Sequence, residues 1–144
     1  MNEYKIKNQT DILSQINSEL EIEEYMKKNE SSDFYDKFSD YFWNFSKVNS
    51  LSDSNLIKLS GIEKSYYYQI KKGKRNPGRD KILRLCIGAG LTIQETTHAL
   101  EMSECAILYS RNRRDIILSV AINRNLTVID TNLLLDKYKE KPLQ

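Results

Sequence analysis

Histidine, proline and glycine are all scarce in this sequence, and each shortage narrows what the chain can be. His98 is the sole histidine, and Cys86 and Cys105 share no metal-ligand spacing with it or with each other, which argues against a zinc site. Nucleophilic triads, paired-carboxylate sites and phosphate-cradling glycine loops need residue sets that are missing, so neither an enzyme nor a cofactor is expected. A tyrosine nucleophile within Tyr66 to Tyr68 would need an Arg and His constellation that one histidine hardly offers. His98 itself reads as a surface or half-buried side chain, and Cys86, four residues after Ile82, as a buried thiol. The opening MNEYKIKNQT has no apolar run, and no later stretch approaches membrane-spanning length. A cytoplasmic protein with reduced cysteines and no membrane partner is the expectation.

All five glycines, Gly61, Gly73, Gly78, Gly88 and Gly90, lie in the central third, and the prolines are Pro77 and Pro142. Elsewhere the chain seldom needs a breaker to turn, which favours helices with short connections and an all-α fold. With 144 residues, 40% of them hydrophobic, it can furnish the core of one domain carrying helical extensions. Net charge is only +2, but it is unevenly spread. Residues 1–35 hold eight acids against four lysines, whereas residues 64–84 hold eight Lys and Arg against Asp80 alone.

That basic segment is also the most structured piece of the sequence. Ser52 suits an N-cap ahead of a short helix through Leu56, Ile57 and Ser60. Gly61 permits a sharp left-handed turn into a second helix, from about Lys64 to Lys72, that Gly73 ends at its C′ position. On the second helix Tyr67 and Ile70, with Ile62 from the turn, should face inward, leaving Lys64, Ser65, Tyr68, Gln69 and Lys72 outside. Lys74, Arg75, Arg79, Lys81 and Arg84 then surround that exposed face with long cations.

Leu56-Ile57, Ser60-Gly61-Ile62, Tyr67, Ile70, Gly73-Lys74-Arg75 and Pro77 resemble, in order, the pattern of the lambda-repressor-like helix-turn-helix family, also called the xenobiotic-response-element or XRE family. The resemblance implies a five-helix DNA-binding domain of bacterial or phage type, here over residues 34–90. An acidic helical segment (1–33) would precede it and a helical extension of about two more helices (91–144) would pack on it. It implies a transcriptional regulator that binds double-stranded DNA as a homodimer, one short reading helix covering too few bases alone. Lys64, Ser65, Gln69 and Tyr68 would enter the major groove, with Glu63 also able to touch a base edge. Side-chain chemistry agrees: Gln pairs bidentately with adenine, Lys with guanine, and Ser with either. Lys71, Lys72, Lys74, Arg75, Arg79 and Lys81 would face phosphates, which set register without reading sequence. Where the family usually begins its first motif helix with Gln, this chain has Asp53, expected to face a phosphate. The alternative is a non-catalytic module that uses the same scaffold to bind a protein partner.

Around this centre, Ile12, Leu13, Ile16 and Leu20 form an amphipathic stripe begun by Thr10 or Asp11. Phe38, Tyr41, Phe42, Phe45 and Val48 read as one strongly apolar helix, with Trp43 off the stripe and directed at the N-terminal helix. Gly78 is a candidate N-cap for a helix whose Ile82, Leu85, Cys86 and Ala89 face the core. Gly90-Leu91-Thr92 and Asn125-Leu126-Thr127 echo each other: a left-handed stop, a covering leucine, and a threonine cap with an acid three residues on. Between them, Arg111, Arg113 and Arg114 precede an apolar face of Ile117, Val120 and Ala121. Arginines at a helix start oppose the macrodipole, so salt bridges to Asp115, Glu101 or Glu104 are favoured over a second phosphate site.

Overall fold

Among the described residues, 17–30 and 37–144 of a computed structural model, every regular element is a helix. The chain divides into two units, Met1–Tyr35 and Asp36–Gln144. In the first, α1 (Glu19–Glu30) starts at Ser18, whose hydroxyl accepts from the Glu21 N–H at 3.2 Å, and acids occupy its first turn where the helix dipole favours them. Leu20 is exposed; Ile12, Leu13, Ile16 and the expected helix start at Thr10 or Asp11 lie outside the described residues.

The second unit holds α2 (Phe38–Phe42), α3 (Ser46–Asn49), α4 (Asp53–Ser60), α5 (Lys64–Lys71), α6 (Arg79–Ala89), α7 (Ile93–Met102), α8 (Arg113–Asn123) and α9 (Val128–Lys137). Its centre is α6, with Ile82, Leu83, Leu85 and Cys86 fully buried; α4, α7 and α9 pack around it, and α8 pairs with α9. Gly88 explains how closely α6 and α4 approach. A Cβ there would lie 3.1 Å from the Ser60 nitrogen and 3.2 Å from the Leu59 carbonyl carbon, so only glycine fits without displacing backbone. Burial pushes the Cys86 thiol up to about 12, and both cysteines are free.

The echoed junctions are built as their sequence expects. Gly90 (φ 73°) and Asn125 (φ 54°) are left-handed, and the Leu91 and Leu126 N–H groups reach back to the Cys86 and Ala121 carbonyls at 3.0 Å each. Thr92 and Thr127 then cap α7 and α9 by accepting from the Glu95 and Asp130 N–H groups, and Glu95 completes a capping box.

Two expectations are corrected. The single helix through Phe38, Tyr41, Phe42, Phe45 and Val48 is broken into α2 and α3, because Trp43 leaves the helical path and Phe45 is extended (ψ 137°). The break lets Trp43 pack edge-on against Tyr67 of α5, with ring centres 5.7 Å apart, rather than continue the helix surface. In α8 the buried face is Asp115, Leu118, Ala121 and Ile122, whereas Val120 is 41% exposed. Apolar burial falls on Leu118, Ala121 and Ile122, and Asp115 shares that face because it is paired, accepting from Arg79 and from the Tyr109 N–H at 3.0 Å each.

A candidate nucleic-acid interface on α5

The turn that delivers α5 is held from three sides. Gly61 is left-handed (φ 69°) and its N–H donates to the Ile57 carbonyl at 2.9 Å. Buried Ser60 accepts from the Ile62 N–H, and Arg84 donates to the Ser60 carbonyl at 3.0 Å. Ser52 caps α4 through the Asn55 N–H, and Glu63 caps α5 through the Tyr66 N–H. The Ser65 hydroxyl and that N–H hold the Glu63 carboxyl below its usual range. Glu63, considered as a base contact, therefore has a structural task as well. At the far end Gly73 (φ 74°) closes the helix, with the Lys74 N–H reaching the Gln69 carbonyl at 2.9 Å.

Tyr67, Ile70 and Ile62 are buried, so the opposite face of α5 points outward. Glu63, Lys64, Ser65, Tyr68, Gln69, Lys72 and Lys74 line one shallow depression there. All four residues expected to read bases are thus brought together, with two of the expected phosphate contacts beside them.

The remaining cations are distributed differently from the sequence expectation. Lys71 donates to Asp53 at 2.7 Å and lies 5.9 Å from the Trp43 ring centre. Asp53 also accepts from the Tyr67 hydroxyl at 2.7 Å. The Lys71 ammonium and Tyr67 hydroxyl lower the Asp53 pKa, while burial and Asp53 raise that of Tyr67. Asp53 is an anion already neutralised within the fold. Arg79 is turned away into the C-terminal half, donating to the Ala106 and Ile107 carbonyls and to buried Asp115. Arg75 donates through Nε to Gln69 Oε1 at 2.8 Å and stacks on Tyr66, 4.9 Å from its ring centre; Lys81 approaches the same ring at 5.8 Å. The Lys71 and Arg79 pairings join residues from different helices and have no local sequence signal, whereas Arg75 turns back onto the helix it follows.

Arg113 and Arg114 do form intramolecular pairs, but not with the acids closest in sequence. Arg113 meets Glu140 at 2.9 Å, and Arg114 grips both carboxylate oxygens of Asp80 at 3.1 and 3.0 Å. Arg84 donates to the main-chain oxygens of Leu143 and Gln144 at 2.7 Å each, tying residues 143–144 to α6. Arg111 is exposed. His98 is half-buried against Tyr41, ring centres 4.8 Å apart, and burial lowers its pKa. Among the described residues no three His, Cys, Asp or Glu side chains gather as metal ligands, and no helix is long and apolar enough to cross a membrane. No family model, curated protein or solved structure matches the chain.

Proposed function

We propose that the protein is a sequence-specific regulator of transcription that binds double-stranded DNA by laying α5 in the major groove. In this reading α2 with α3, and then α4, α5, α6 and α7, correspond to the five helices of a lambda-repressor-like domain, with α8 and α9 as the C-terminal extension. The observation that carries the reading is the coincidence on one face of Lys64, Ser65, Tyr68, Gln69, Lys72 and Lys74, in a helix whose other face is buried. Enrichment of one sequence motif from random duplex DNA by the purified protein tests it. Recovery of no motif, with equal weak affinity for all duplexes, rejects it.

The protein-binding alternative is favoured by a separate feature: Ile116, Val120, Ile129 and Leu133 on α8 and α9 are 41 to 73% exposed. The regulator reading uses the same residues as a homodimer surface, which brings two α5 helices to two half-sites. A protein that stays monomeric, selects no DNA and captures a protein partner would support the alternative.

A further inference from the structure

We infer that Arg75 is a base-reading residue whose target is a guanine, held in position by Gln69 and Tyr66; this rests on the DNA-binding reading above. Arginine carries five N–H donors and no acceptor, so its contact with Gln69 fixes the amide orientation: Oε1 faces Arg75, and the NH2 group lies on the other side. The bond uses only Arg75 Nε. Among the described residues no hydrogen bond occupies Nη1 or Nη2, and the side chain is exposed. Those two terminal nitrogens form a planar fork, the geometry that meets guanine O6 and N7 together.

Two contacts hold the fork in place. The guanidinium lies 4.9 Å from the Tyr66 ring centre and is hydrogen-bonded sideways to a residue of the reading depression. Such restraint lowers the entropy lost when a bidentate contact forms, a gain that a lysine, with its flexible stem and point charge, does not reproduce. Lys72 and Lys74 differ, being exposed ammonium groups suited to following phosphates without regard to base. Arg75 therefore moves from the phosphate set to the reading set, and Gln69 and Tyr66 serve it as positioning residues.

Motif enrichment from random duplex DNA with wild type, Arg75→Lys, Arg75→Ala, Gln69→Glu and Tyr66→Leu tests the inference, with circular dichroism confirming that each variant folds. Wild type should select a guanine at one position. Arg75→Lys and Arg75→Ala should each lose about tenfold or more of that preference while keeping preferences elsewhere in the site. Gln69→Glu, which retains an acceptor for Nε but loses the outward NH2 and adds a charge, should keep the guanine preference while lowering overall affinity, and Tyr66→Leu should weaken the preference. Two results overturn the inference alone: an unchanged motif in both Arg75 variants with uniformly weaker binding, the signature of a phosphate contact, or a wild-type motif with no guanine that Arg75 variants alter. Failure of wild type to select any motif overturns the regulator reading, and this inference with it.

Discussion

Asp53 shows how one contact changes the meaning of a residue. As an isolated carboxylate near DNA it would repel phosphate; bonded to Lys71 and Tyr67, it instead neutralises a cation that stays at the surface. Asp53→Gln removes the negative charge and releases the Lys71 ammonium, so it should tighten DNA binding at low salt and do less at high salt, where screening shortens the range of both charges. Fluorescence anisotropy at two salt concentrations measures this, and weaker binding at low salt would contradict it. Acid should act on stability through the same type of pair. Lys71 lowers the Asp53 pKa; for Asp80, burial alone would raise it, but Arg114 and the Gln144 N–H outweigh burial and lower it. Carboxyls with depressed folded pKa values contribute stability above the unfolded value of about 4, and that contribution is lost as pH falls through the folded values. Urea midpoints should therefore change little from these groups between pH 7 and 5 and drop below about pH 4, with a shallower drop in Asp80→Asn.

Among the elements, the pair α4 and α6 governs where the reading face sits. Their approach depends on Gly88, and Arg84 of α6 reaches past it to the carbonyl at the end of α4. Gly88→Ala places a methyl against the backbone of Leu59 and Ser60, which a flexible side chain cannot relieve, so it should cost about 1 to 3 kcal/mol. Chemical denaturation checks the loss; a change below about 0.3 kcal/mol would show that α6 shifts freely. A different contact of α6, Arg79 with Asp115, accompanies the departure of α8 from its apolar pattern. The face that buries Leu118, Ala121 and Ile122 leaves Val120 half-exposed, and Asp115 is tolerated on it because Arg79 pairs with the carboxylate, which unpaired at that depth would be costly.

For the whole molecule, charge and exposed apolar surface make separate predictions. If Lys72 and Lys74 follow phosphates, replacing both by alanine should weaken binding to specific and random duplexes alike and lower the salt slope by about 2, one counterion for each lost contact. An unchanged slope would take them off the DNA. If α8 and α9 carry the dimer contact, Leu133→Asp should shift the protein to monomer in sedimentation velocity without loss of helical signal, because Leu133 is already 63% exposed in the single chain. Retention of the dimer would move that contact elsewhere.

The amino-acid sequence by itself determined the helix stops and starts. Gly61, Gly73, Gly90 and Asn125 are all left-handed where the pattern expects a stop, and Ser52, Thr92 and Thr127 all cap. It also determined the inward side of α5, through Tyr67 and Ile70, and hence the outward side that carries Lys64, Ser65, Tyr68 and Gln69. These features depend on side chains within a few residues of the backbone groups they satisfy, so they leave a local signature. Only the tertiary structure decided the break between α2 and α3, the rotation of α8, and which cations remain available on the face. Lys71 is taken by Asp53 and Arg79 by Asp115, each contact joining chemistry from separate elements, whereas Arg75, held through Nε alone, keeps its terminal nitrogens available. A long cation bonds whichever anion or carbonyl the packing brings within about 3 Å, and sequence separation carries no information about that distance.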